Sequence, residues 1–134
     1  NTEVIAVNQA WAGDLGRFIA SSPGLMTNLT TYHGSNCECV VEGQTLPVWS
    51  VYAKKLVADG SLVAAIAINI SNNTLAAGEI VIPMANISHV HGSHRWAQRD
   101  LWAHSEIDDI TGADWTVPSL APRSSFFAIL TLVE

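Results

Sequence analysis

Hydrophobic and polar positions follow two different rhythms along the chain. At the start, Thr2 to Gln9 is short and apolar on several sides, with Thr2 placed to cap and Glu3 in the first turn. This predicts a helix stub, too short to be stable alone, which must dock on something. Residues 10–36 are rich in Gly, Ser, Pro, Thr and Asn and read as a long irregular connection. Such a loop is unusual inside a compact domain and suits a crossing between two domains. From Cys37 onward the period becomes two. Val48 to Val57 and Leu62 to Ile70 flank Asp59-Gly60, a two-residue signal for a type I′ hairpin. Further strands are predicted at Gly78 to Ile82, His94 to Leu101, Asp114 to Val117 and Ser125 to Val133, punctuated by Pro83, Pro118 and Pro122. Short strands at this spacing predict an all-β, antiparallel β-sandwich.

One strand breaks the sandwich rule. Leu62, Ile66, Ile68 and Ile70 point one way, while Val63, Ala65 and Ala67 point the other. An ordinary sandwich strand keeps one wet face. Two dry faces predict cover by a loop or by another domain.

Composition narrows the function classes. The 134 residues are 49% hydrophobic and 13% charged, a globular composition long enough for one core. The net charge is −6, with six Lys and Arg, so a basic face for nucleic acid or anionic lipid is not expected. The apolar run from Leu62 to Ile68 is far too short to span a bilayer. Cys37 and Cys39 are the two cysteines. A direct bridge at that spacing would be strained, so they read as small apolar side chains or as partners of cysteines elsewhere, their redox state open.

Candidate chemistry is sparse. His89, His91 and His94 have the donor types of a zinc site, but the Gly and Ser between them read as a solvated loop, without the carboxylate that usually supports a ligating His. Asp108 and Asp109 are adjacent, whereas glycosidase carboxylates face each other across a bond. Trp11, Trp49, Trp96, Trp102 and Trp115 suit core packing or stacking on sugar rings, and the spacing of Trp96 and Trp102 puts them on one face of a continuous strand. The pattern Asn-x-Ser/Thr occurs at Asn28, Asn69, Asn72 and Asn86, which points to a secretory-pathway glycoprotein. Asn72 sits in a polar stretch, while Asn69 lies at the end of an apolar strand.

Three phrases carry a resemblance. VIAVNQAWAGDLGR (Val4 to Arg17), VWSVYAKKLVADGSLVAAIAINIS (Val48 to Ser71) and RDLWAH (Arg99 to His104) resemble the tail of glycoside hydrolase family 27, the α-galactosidase or melibiase family. The chain departs from the family pattern at Ala10, where Asp is usual, and at Tyr52-Ala53-Lys54-Lys55-Leu56, where Trp-Ala-Lys-Pro-Leu is usual. The resemblance implies that residues 1–36 are a remnant of the last helix of a (β/α)8 barrel plus the connection between domains. Residues 37–134 would then be the C-terminal antiparallel β-sandwich. It implies a retaining parent enzyme that releases terminal α-linked galactose or N-acetylgalactosamine by two barrel Asp residues. No position here matches those motifs, so no catalytic residue, metal ligand or cofactor is assigned to this chain.

The expected role is therefore that of a non-catalytic domain that stabilises a catalytic barrel. Its partner would be that barrel, with carbohydrate substrate reached through the parent, no nucleic acid and no membrane. The expected location is secreted or lysosomal/vacuolar. The alternative is a stand-alone carbohydrate-binding or adhesion module.

Overall fold

The computed structural model describes residues 1–133 except 24, 28–30, 35–36, 41–44 and 93. For 25–27, 31–34, 37–40 and 45 only the backbone is described. Asn28 and the side chains of Cys37 and Cys39 therefore lie outside the described residues. The elements are helix α1 (Thr2–Gln9), strands β1 (Arg17–Ser21), β2 (Leu25–Thr27), β3 (Thr31–Gly34), β4 (Cys37–Val40), β5 (Thr45–Pro47), β6 (Trp49–Lys55), β7 (Leu62–Asn69) and β8 (Val81–Pro83), helix α2 (Met84–Ser88), and strands β9 (His94–Asp100), β10 (Ser105–Gly112), β11 (Asp114–Thr116) and β12 (Ser125–Leu132).

Six strands form one antiparallel sheet in the order β1-β6-β7-β12-β9-β10. Period-two alternation decides its faces. Val51, Ala53, Val63, Ala65, Ala67, Phe126, Ala128 and Leu130 point into the main core. The opposing layer is smaller: β8 paired with β11, helix α2 and the bridge between Leu75 and Leu120. It contributes Ile80, Ile82, Met84, Ile87, Trp115 and Val117. The architecture is the expected antiparallel β-sandwich.

Several local expectations are corrected. Asn1, not Thr2, caps α1, its Oδ1 accepting from the Glu3 and Val4 amides at 3.1 and 3.2 Å. The stretch read as connection contains β1, which pairs with β6 from Arg17↔Ala53 to Ser21↔Ser50. The sheet thus begins well before residue 37. Trp96 is a core residue, while Trp102 lies past the end of β9 with its ring 5.7 Å from that of Phe127, so the two do not share a strand face.

The turn at Asp59-Gly60 is also longer than a two-residue hairpin. The Leu56 amide donates to Leu62 O, closing a loop whose Gly60 has φ +78 while Asp59 stays in the ordinary negative region. The Asp59 carboxylate accepts from both the amide and the hydroxyl of Ser61 and is held below its usual pKa mainly by that amide. Gly60 is required twice: its φ suits no side chain, and an added Cβ would fall on Ser88 O. Gly60→Ala is expected to cost about 1–3 kcal/mol, read as a lowered melting temperature. An unchanged melt would mean that this loop does not sit against α2.

Candidate functional site: the face under helix α1

The second face of the sheet is organised in cross-strand rows. One row runs Lys54↔Ala64↔Ile129↔Arg99↔Glu106 across β6, β7, β12, β9 and β10. Helix α1 lies along it. Val7 is buried against Ala64 and Leu101, with Val4, Leu56, Phe127 and Ile129 packed around them. The fit is one of length and charge. Lys54 and Arg99 are three strand spacings apart, about 14 Å, and eight helical residues rise about 12 Å. At the N-terminal end, Glu3 Oε1 accepts from Arg99 Nη2 at 2.7 Å and from its Nε at 3.0 Å. Glu3 Oε2 meets His104 Nδ1 at 3.2 Å, and Asn1 Nδ2 donates to Leu101 O at 2.7 Å. At the C-terminal end, Lys54 Nζ donates to Val7 O and Asn8 O. Cations near helix C-terminal carbonyls and carboxylates near N-termini both follow the helix dipole.

These contacts also set protonation. The hydrogen bond from Arg99 holds the Glu3 carboxyl below the usual glutamate value, and Glu3 in turn raises Arg99. The clasp therefore stabilises the docked helix above the ordinary Glu pKa of about 4.3 and is lost as pH falls through the lower folded value. Amide exchange of Ala10, which donates to Ala6 O, should lose protection as the pH is lowered through that window. Arg99→Ala should remove that pH dependence. A pH-independent protection factor in the parent would refute the clasp.

The next row on this face is Phe18↔Tyr52↔Ile66↔Phe127, and the Leu101 amide extends it by donating to Phe127 O. Helix α1 covers its Phe127 and Leu101 end and leaves its Phe18 and Tyr52 end open. Phe18 and Tyr52 meet edge to face at 5.7 Å and are 56% and 42% exposed. Between this row and α1 runs an apolar groove of about 720 Å³, lined by Val4, Ile5 and Val7 on the helix side and by Leu15. The doubly dry strand is thus explained in part: α1 covers one row and one end of the next, and leaves the Phe18–Tyr52 end open. Of the apolar residues of α1, Val4 and Val7 pack on the chain's own sheet and Ile5 remains 53% exposed.

The loop that carries Leu15 is built around Asp14, which accepts from the Lys55 and Gly16 amides and from Arg17 Nη1. Burial opposes its charge, but those hydrogen bonds win and hold its pKa low.

The other sequence candidates are not gathered into one site. His89 and His91 are exposed, and His94 Nε2 lies 3.0 Å from His91 O. Nearby Arg17 pushes the His89 pKa down. No group of three metal-ligating residues exists among the described residues. Asp108 and Asp109 stand at a bulge in β10, with Asp109 paired to Arg95 at 2.7 Å. They line a second cavity of about 640 Å³ with Gln98, Asp100 and Asp114. Trp96 and Trp115 are core residues, and Trp49 packs against that core. Trp11 and Trp102 are exposed. Asn72 and Asn86 are exposed. Asn69 is 1% exposed: its Nδ2 donates to Asn73 O, Leu120 O and Ala121 O, and its Oδ1 accepts from Ser71. A glycan on that nitrogen has no room in this fold, which removes Asn69 from the modification candidates.

Neither a sequence-family model nor any curated protein matches the chain. Solved structures do. The fold is similar to part of a family 27 β-L-arabinopyranosidase from Geobacillus stearothermophilus, with 17% identity over 65% of this chain and 18% of that one and a TM-score of 0.51. It is similar to a candidate α-N-acetylgalactosaminidase from Bacillus halodurans, with 11% identity over 90% of this chain and 20% of that one and a TM-score of 0.54. It is also similar to α-galactosidase I of Mortierella vinacea, with 14% identity over 62% of this chain and 20% of that one and a TM-score of 0.51. At these identities the likeness is one of fold. The chain spans about a fifth of the length of each of these proteins. The β-sandwich is thus one that occurs as a part of glycoside hydrolases, among them a family 27 enzyme, in agreement with the resemblance carried by VIAVNQ, the β6–β7 hairpin and RDLWAH.

Proposed function

We propose that this chain is the C-terminal β-domain of a retaining, α-galactosidase-like glycoside hydrolase that acts on terminal α-linked galactose or N-acetylgalactosamine. The domain is not itself catalytic. It covers and stabilises a (β/α)8 barrel elsewhere in the same polypeptide, and α1 is the barrel's last helix. The carrying observation is the face under α1. A helix is clasped across one row of the sheet, and the Phe18–Tyr52 end of the apolar row beside it is left open. Sequons at the exposed Asn72 and Asn86 support a secreted or lysosomal/vacuolar glycoprotein.

The test compares the complete polypeptide encoded with this chain and the 134-residue chain alone. The expected result is hydrolysis of an aryl α-galactoside by the former and none by the latter, with the former losing thermal stability when residues 37–134 are deleted. Turnover by the 134-residue chain, abolished by a point change within it, would overturn the proposal. Exposed Trp102 favours the second reading, a carbohydrate-binding module. Quenching of its fluorescence by millimolar galactose in the 134-residue chain would favour that module.

A further inference from the structure

The cavity of about 640 Å³ lies between β9–β10 and residues 114–118 of the smaller layer. Two polar side chains of β9 are set into it. Gln98 stands opposite Leu130 and Asp100 opposite Ala128, so both lie on the face that Leu130 and Ala128 turn toward the main core. Two residues apart on one strand, they are about 7 Å from each other along the backbone.

Gln98 is 6% exposed, and chemistry alone orients its amide. Its Oε1 accepts from Trp115 Nε1 at 2.6 Å, and an indole nitrogen only donates. Nε2, with its two N–H groups, therefore faces away from Trp115. It bonds to nothing among the described residues. No fully sealed side-chain nitrogen among those residues lacks a partner, so Nε2 meets the cavity that Gln98 lines. Asp100 is pinned in a similar way. Its Oδ1 accepts from the Trp102 and Ala103 amides at 2.7 and 3.0 Å, and its Oδ2 has no partner among the described residues. The cavity thus offers one fixed donor and one fixed acceptor, each held by a bond on its far side.

This pairing selects a class of ligand. An anion would meet Asp100, Asp108, Asp109 and Asp114, and no Lys, Arg or His lines the cavity. A metal cation suits the carboxylates but not the N–H groups of Gln98, and the described residues hold no group of three metal ligands. A hydroxyl both donates and accepts, so the hydroxyls of one sugar satisfy Asp100 and Gln98 together. The apolar part of the lining, Ile107, Val117, Pro118 and Phe126, suits the C–H face of a pyranose ring.

We infer that this cavity is a saccharide site of the β-domain, which takes one neutral pyranose unit with its hydroxyls on Gln98 Nε2 and Asp100 Oδ2. The site needs no residue outside this chain and does not rest on the proposed function. Trp102, the exposed ring of the second reading, does not line it.

Hydrogen exchange read by mass spectrometry in the complete polypeptide tests this, because it locates protection peptide by peptide. The probes are the methyl β-glycosides of galactose, glucose and N-acetylgalactosamine at millimolar concentration, with calcium chloride and sodium phosphate as rivals. At least one glycoside is expected to slow exchange in the peptides that carry the Trp102 and Ala103 amides and residues 114–118. Protection there by none of the glycosides overturns the inference. So does equal or stronger protection by calcium or phosphate.

Two variants separate binding from folding. Gln98→Met matches the side-chain length and removes the donor. Asp100→Ser keeps an oxygen for the turn amides and removes the second one. Each should raise the Kd of the protecting glycoside about tenfold, the loss of one hydrogen bond from the site. Exchange of the same peptides without ligand should stay close to that of the parent for Asp100→Ser. If Gln98→Met loosens them, Asp100→Ser alone carries the reading. Unchanged affinity in a variant whose unliganded exchange matches the parent overturns the inference.

Discussion

Replacing Trp115 with alanine is expected to cost about 3–5 kcal/mol, enough to leave a domain of ordinary stability marginal at physiological temperature. The side chain is fully buried at the centre of the smaller layer. Its ring stacks on Phe126 at 6.0 Å with an interplanar angle of 28°, so it ties β11 to β12 through the core. Its Nε1 donates to Gln98 Oε1 at 2.6 Å, which satisfies a buried amide on β9. Alanine removes one of the two fully buried tryptophans of the core and leaves Gln98 without its donor. Trp115→Phe separates the two losses: it keeps most of the ring and should cost about 1–3 kcal/mol, the value of an unsatisfied buried acceptor. Urea denaturation of the two variants measures this. If phenylalanine is as damaging as alanine, packing is not the main term. If alanine costs under about 1 kcal/mol, the sandwich core is not centred where the structure places it.

The second large effect is expected at Asn69. Its five hydrogen bonds hold the end of β7 to the Asn73 turn and to the segment that enters β12. Asn69→Leu fits the burial but strands the Ser71 amide, at about 1–3 kcal/mol if it stays dry, while the carbonyls of Leu120 and Ala121 keep their bonds from Leu75 and Ser124. Asn69→Asp keeps the acceptor for Ser71 but sets a carboxylate against three carbonyl oxygens. At neutral pH it should destabilise at least as much as leucine, and it should recover partly in acid as the carboxyl gains a proton. Melting curves from pH 4 to 8 would show this. An aspartate variant as stable as the parent would exclude the donor role of Nδ2.

How legible the fold was depends on where each strand sits in the sheet. The central strands β6, β7, β9 and β12 were readable because they bury whole faces and therefore alternate strictly or run apolar throughout. Within the six-stranded sheet, the strands that escaped the reading, β1 and β10, are the two edges. The sequence of β10, Ser-Glu-Ile-Asp-Asp-Ile-Thr-Gly, buries no residue fully and is interrupted by a bulge, so its period is broken where the pattern would have shown it. β1 hides in a stretch whose Gly, Ser and Pro suggest a loop. Helix α2, five residues directly after Pro83, is too short to display a period.

The dry second face of β7 was visible in its sequence, but its partner was not. Glu3 and Arg99 lie 96 positions apart, and no local pattern joins them. The burial of Asn69 was equally hidden, because an Asn-x-Ser triplet looks the same whether its amide faces solvent or three carbonyls.

The position of α1 in the chain has a consequence for how the protein is made. The helix emerges from the ribosome before the sheet on which it sits, and its seat needs Lys54, Ala64, Arg99 and Ile129. The last of these follows Val7 by roughly 120 residues, which at 5–20 residues per second is about 6–25 s of synthesis. Through that interval α1 lacks the sheet rows that seat it, and eight residues by themselves are too few for a stable helix. Docking of α1 is therefore a late event that follows pairing of β7 with β12. Substitutions at Val7 should speed unfolding while leaving the refolding rate nearly unchanged.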